Sequence, residues 1–519
     1  MSKNSRPQAE SDGGLEVRNR LESVRNAVRS RFEVDTRALA ALRITLGTII
    51  LLDLIYRAGG LEMYYTDAGA YPLEAYEATY PQFNGLSIHA LSGELWFQHL
   101  LFLVAGVFAV ALIVGYRTRL VAVVSLVLLL SLHARNPAVL NGGDRLLRVL
   151  LLIALVTPMG ERWSIDALRR GSARPAVASF ATAALLAQPV VVFTQNAILK
   201  HRGDTWYSGE GVQIALANDV MTVHLGNYLS AYPALLEVLN WVWVVLLAGS
   251  GVFLLVTSGR LRALFALVYI GAFVGLLASV SVGMFPLVLI ATVIPFLTTP
   301  FWEPLARFVP SRWADRLPSA SALGPLGRPP IERRALESVG ERGYERAASF
   351  TEAYGRSLLT VVGVLLLCWI LLFSATHVSD HDVPDAIEPD FPNEQRWGLY
   401  APDPSTAYSW YIVEAELENG STVDAFDGGE VVTDRPADAS QQFDTVRDRK
   451  FTESVRSSGR DDTSDVIAEK YADWACEQAN AKHGDTVEHL EVYRYIQDSP
   501  VDGEFEEPRG PFTVIEQEC

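Results

Sequence analysis

The sequence predicts an all-α polytopic membrane bundle of about nine transmembrane helices, followed by a small α+β extracellular C-terminal domain. Three observations carry this. Half of the 519 residues are hydrophobic, and the long apolar runs fall within residues 39–300 and 357–376. Residues 380–519 hold 34 Asp+Glu against 11 Lys+Arg, in a chain whose net charge is −17. The cations before that point cluster on alternate loops between the apolar runs. The net charge therefore describes one acidic domain on a mildly basic membrane part, and no nucleic-acid partner is expected.

A span needs ~20 mostly apolar residues to cross a hydrocarbon core of ~30 Å. The candidate spans are residues 39–57, 97–116, 120–138, 145–160, 176–199, 233–257, 263–281 and 283–300 within a transmembrane domain at 39–300, and 357–376 as the last helix; 120–138 and 145–160 are short or interrupted by polar residues. A basic segment, 1–38, precedes them and lacks the short apolar core and cleavage site of a signal peptide. With this segment inside, the inner loops carry 25 Lys+Arg and the outer loops, tail excluded, carry 6. Cations are retained on the cytoplasmic side during insertion. The expected topology is a multi-pass cell-membrane protein with a cytoplasmic N-terminus and residues 380–519 outside.

Segment 301–356 is rich in Arg, Pro and Gly and reads as a cytoplasmic connector, with a short helix near 331–350. Asp380–Glu394 reads as a linker. In the tail, alternating residues 411–417 and 421–426 flank Glu418-Asn419-Gly420, a hairpin signal whose Asn-Gly pair favours positive φ. Asn419-Gly420-Ser421 is also a glycosylation acceptor sequence. Residues 465–484 have helical spacing and end at Gly484. Cys476 and Cys519 both fall in this domain, where oxidising conditions permit a disulfide. Cys368 reads as an apolar filler, and the spacing shows no metal-ligand pattern, so no metal is expected. Arginine outnumbers lysine 38 to 5, which with the acidic tail resembles proteins of halophilic archaea, whose carboxylate surfaces stay hydrated in brine. A tail that binds a cationic partner is the alternative.

Ionisable groups at membrane depth are costly and face a cavity or a partner, so they carry the functional information. The fifth span contains Pro189 and ends Gln195-Asn196-Ala197-Ile198-Leu199-Lys200. Asn196 and Lys200 are four apart and share a face. Lys200 is the only lysine between Lys3 and Lys450. Arginine keeps its proton at any accessible pH, whereas lysine yields it when desolvated. The bland reading is a lysine snorkelling to the interface, a task arginine performs equally well. A second polar group, His133, Asn136, Asn141, Asp144 and Arg148, lies on the same side, with Asp144 and Arg148 spaced to pair on one helix face. Singly, His133 reads as an interfacial hydrogen-bonding residue, and Arg43 and Asp53 as ties between helices.

These residues sit in a recognisable order. Asp35-Thr36-Arg37, Arg43-Ile44, Gly47, Tyr65-Thr66-Asp67-Ala68-Gly69, Asn141-Gly142, Pro158 and Trp163-Ser164-Ile165-Asp166 resemble the HTTM domain, the membrane domain shared with vitamin K-dependent gamma-carboxylases. Lys200, Trp206 and Gly209 resemble that family's Lys-Leu…Trp…Gly stretch, with His201 replacing the leucine. Trp397-Gly398-Leu399-Tyr400-Ala401-Pro402 and Trp410 resemble its entry to the post-membrane domain. The resemblance implies chemistry on a reduced quinone, menaquinone or vitamin K-like, with Lys200 as the catalytic base that takes a hydroquinone proton. His133, Asn136, Asn141, Asp144, Arg148, Asn196 and Trp206 would then bind quinone. The outer domain is smaller than the carboxylases' lumenal part, which weakens the case for a peptide or protein substrate more than the case for quinone.

Two classes of function follow. One is a quinol-dependent, gamma-carboxylase-like lyase or oxygenase. The other is a non-catalytic protein that binds membrane lipid or quinone and anchors its outer domain. Turnover of a bound quinone with oxygen separates them.

Overall fold

A computed structural model describes residues 25–308, 355, 357–372, 398–458, 465–483, 487–500 and 504–519, together with a few positions before residue 25. The connector beyond Phe308 with its expected helix near 331–350, the linker Asp380–Glu394 and the helix stop at Gly484 lie outside the described residues. The chain is mostly helical, with a small sheet near its C-terminus.

Helix α1 (Thr36–Ala58) starts where Asp35 caps it, accepting from the Arg37 N–H at 2.9 Å. The short strand before it, β1 (Glu33–Asp35), pairs antiparallel with β2 (Ala176–Ala178). α2 (Leu95–Val114) packs closely along α1: a Cβ on Gly47 would lie 2.9 Å from the Ala109 carbonyl, so only glycine permits this crossing. On its other side α2 exposes Leu103, Val107 and Val110, as a lipid-facing helix does. Next come α3 (Thr118–Arg135), α4 (Gly142–Leu155) and α5 (Phe180–Lys200), the last opened by a Ser179–Thr182 capping box. They are followed by α6 (Pro233–Ala248), α7 (Gly259–Ser279), α8 (Phe285–Val293), α9 (Thr299–Phe308) and α10 (Ser357–Leu372). Leucines and other apolar residues of α1, α3, α4 and α5 form one continuous core with Tyr64, Tyr65, Tyr71 and Tyr76 from the segment after α1.

Among the described residues five helices are long and apolar enough to cross a membrane: α1, α2, α3, α5 and α7. The bent pair Phe285–Phe296 and Thr299–Leu305, at 99°, makes a sixth if it counts as one span. The nine spans read from sequence are thus not all present as long helices. Run 145–160 is a 14-residue helix that stops before Pro158, run 233–257 gives way after Gly249 to a π-helical turn (Gly251–Val256), and Pro295 and Pro300 mark the bend in run 283–300.

The C-terminal sheet is antiparallel, in the order β4-β3-β5-β6, with β3 Ala407–Leu417, β4 Thr422–Asp424, β5 Val487–Asp498 and β6 Arg509–Glu518. β3 and β4 form the expected hairpin, and Gly420 takes φ +76° in its turn. Helix α11 (Val446–Ser458) precedes α12 (Asp465–His483), whose Ala475, Cys476 and Ala479 cover Val413, Ala415, Leu490 and Val492. Cys476 and Cys519 are joined by a disulfide, Cα–Cα 5.7 Å. Cys368 is a free, exposed thiol. On the opposite face Trp410 stacks between Tyr408 and Tyr495.

Candidate functional site

Helix ends and a single docked helix build a buried charge network where the C-terminal domain meets the bundle. Asp53 and Arg57 are one turn apart near the end of α1, and Arg57 Nε donates to Asp53 Oδ2 at 2.7 Å. Arg57 also donates to Tyr65 Oη at 2.7 Å and to Asp144 Oδ1 at 2.6 Å, and its Nη2 lies 3.3 Å from His133 Nε2. Arginine only donates, so the imidazole nitrogen is the acceptor in that contact. Asp144 is placed by a capping box at the start of α4: Asn141 Oδ1 accepts from the Gly143 and Asp144 N–H groups, and Asp144 Oδ2 accepts from the Asn141 N–H at 2.7 Å.

The second cation comes from the other domain. Arg447, in the first turn of α11, grips Asp144 with both terminal nitrogens, donates to Asp53 Oδ1 at 2.9 Å and donates to the Val139 carbonyl at 2.8 Å. Two carboxylates thus face two guanidiniums, all four nearly inaccessible to solvent. Burial and the neighbouring Arg57 work against the Arg447 charge, and Asp144 and Asp53 outweigh both, so its pKa lies above that of a free arginine. Tyr64 donates to Asp448 on the next position of α11, and Asn136 Nδ2 donates to the Tyr64 carbonyl at 2.9 Å. Burial, followed by Asp448, pushes the Tyr64 hydroxyl pKa up.

Lys200 sits elsewhere. Its Nζ is 3.0 and 2.9 Å from the carbonyls of Leu399 and Tyr400 and 3.2 Å from the centre of the Trp206 ring. No carboxylate among the described residues is within ion-pair distance, and Lys200 is 2 % exposed. Trp206 Nε1 donates to the same Tyr400 carbonyl at 2.9 Å, and Asn196 Nδ2 lies 3.4 Å from that of Leu399. Asp403 beyond them accepts from the Thr205 hydroxyl at 2.6 Å, which holds its carboxyl below the usual range.

The residues singled out from sequence therefore fall into two groups. His133, Asn136, Asn141 and Asp144 belong to the charge network, while Asn196, Lys200 and Trp206 surround the 399–400 carbonyls. The expected Asp144–Arg148 pair does not form: Arg57 and Arg447 take the Asp144 oxygens, and Arg148, half-buried one turn along α4, is left beside the network. The sequence reading did not single out Arg57 and Arg447 as site residues, and it named Tyr65 only within a family motif. Arg57 was readable as the residue four beyond Asp53. Arg447 is one of three cations within Arg447–Lys450, a basic cluster in an acidic tail. Asp53, His133 and Asp144 bring ligand atoms within 4.8 Å of one another, as do His489, Glu491 and Glu516 on the sheet. In the first set Arg57 and Arg447 hold the cation positions.

The family model of the HTTM domain matches residues 32–302, just over half of the chain. The chain belongs to the HTTM domain family. No curated protein and no solved structure matches it. The HTTM domain supplies Asp53, Arg57, His133, Asp144 and Lys200, and the residues beyond it supply what three of those groups hold: Arg447 for the two carboxylates, the Leu399 and Tyr400 carbonyls for the lysine.

Proposed function

We propose that this membrane protein of the HTTM family is a quinol-dependent enzyme of the gamma-carboxylase type, in which Lys200 is the general base toward the hydroquinone. The observation that carries the reading is the setting of the amine: buried, without a carboxylate counter-ion among the described residues, and facing two backbone acceptors. A neutral amine has two N–H groups. Donating them to Leu399 and Tyr400 keeps both bonds and leaves its lone pair for a substrate proton. Arg57, His133 and Arg447 then serve the substrate's charge or hold the outer domain in place.

The contact between Lys200 and the Trp206 ring favours a second reading, because a ring face attracts an ammonium rather than an amine. In that reading Lys200 is a charged clamp that fixes the 399–400 segment to α5, and the protein binds lipid or quinone without turnover. Mass spectrometry of small molecules released from protein purified in mild detergent tests the ligand. A stoichiometric quinone supports the proposal; phospholipid alone counts against it.

The same proposal places the N-terminus in the cytoplasm and the acidic domain outside, on the distribution of 25 cations on the inner loops against 6 on the outer ones.

A further inference from the structure

Beside the charge network, α1, α3 and the turn Ile88–Leu91 enclose a small cavity of ≈ 10 Å³, lined by Asp53, His89, Ser125 and the leucines Leu128, Leu129 and Leu132. About 10–15 Å³ is what one water molecule needs, provided two to four polar groups hold it. The lining supplies three. His89 is 1 % exposed, and its Nδ1 lies 2.8 Å from Ser131 Oγ, while its Nε2 has no partner among the described residues. The Ser125 hydroxyl is buried and likewise has none. The Asp53 carboxylate, which accepts from Arg57 and Arg447, has lone pairs to spare.

We propose that this cavity is an internal water site, in which a single water bridges His89 Nε2, the Ser125 hydroxyl and the Asp53 carboxylate. The hydrogen-bond directions are consistent. Ser131 Oγ accepts from the His89 backbone N–H at 3.1 Å, and with its own proton donated to Nδ1 the ring proton lies on Nε2, the tautomer that the proposal uses. The water accepts from His89 Nε2 and from the Ser125 hydroxyl, and it donates to Asp53. Burial, with Arg135 and Arg57 adding to it, pushes the His89 pKa down to about 3, so the ring stays neutral and keeps this single donor. The water ties the Ile88–Leu91 turn to α1 and α3, and it carries the polar network from Arg447 through Asp53 to His89, Ser131 and Ser87. Nothing in this depends on Lys200 or on turnover.

Two measurements on the full chain in lipid nanodiscs test it. A structure that resolves buried waters elsewhere should show one density peak within hydrogen-bond distance of His89 Nε2 and Ser125 Oγ; no peak there overturns the proposal. Ser125→Val supplies the second reading, because it fills the space and removes the hydroxyl. If the cavity holds water, that change expels it and strands His89, and the melting temperature falls by several degrees. If the cavity is dry, the change removes an unpartnered hydroxyl and improves packing, and an unchanged or raised melting temperature overturns the proposal. Should the valine variant fail to insert, the density decides.

Discussion

Arg447 shows what a single residue does here. Its guanidinium satisfies Asp144 and Asp53 together, so Arg447→Leu would leave two buried carboxylates facing Arg57 alone. Removing one partner of a buried pair costs about 3–5 kcal/mol, far more than the pair's own net worth, because the stranded charge keeps its desolvation penalty. Thermal unfolding in detergent should show a loss of that order for Arg447→Leu, and Asp144→Asn added to it should recover part. A loss within ~0.5 kcal/mol, typical of surface changes, would mean that the arginine is not held as described. The carboxylates were legible in the sequence, since charge at membrane depth stands out against an apolar background. Arg447 was not, because it lies about 300 residues from Asp144 and a contact of that separation leaves no local pattern.

At the scale of elements, α11 is the piece that seats the C-terminal domain. Its Phe451 is buried between Tyr64, Tyr71 and Tyr471, with ring centres 5.2–6.2 Å away. Phe451→Ala should cost about 3–5 kcal/mol in thermal unfolding and increase proteolysis of the C-terminal domain. The disulfide joins α12 to the end of the chain across 43 residues. Closing a loop of that size contributes about 3–4 kcal/mol in the chain-entropy model, so Cys476→Ser should lower the domain's stability by that amount and non-reducing peptide mapping should recover the bridged peptides. The β3–β4 hairpin and α12 were legible from an Asn-Gly turn and from helical spacing, both local signals. The bundle's shorter helices were less so. Counting apolar residues finds runs, but Pro158, Pro295 and Pro300 divide those runs, and the tail's remaining strands pair over distances that alternation alone does not reveal.

At the scale of the whole molecule, the cation asymmetry between alternate loops predicts which side of the membrane each loop occupies. In a Cys368→Ala background, a cysteine at Ser421, exposed in the β3–β4 turn, should react with a membrane-impermeant thiol reagent on intact cells, and one at Ser172, exposed on the loop before β2, should not. The opposite labelling pattern would invert the proposed topology.

The central claim is that Lys200 gives and takes a proton rather than clamping a loop. Oxygen-dependent consumption of menaquinol by wild type, Lys200→Arg and Lys200→Ala, compared in one detergent, tests it most directly. Arginine keeps the charge and the contact with Trp206 but does not yield its proton, so a general base predicts that both variants lose ~10²–10⁴-fold in rate while still inserting. Wild-type turnover in Lys200→Arg, with only the alanine variant impaired, would contradict the claim and leave Lys200 as a clamp.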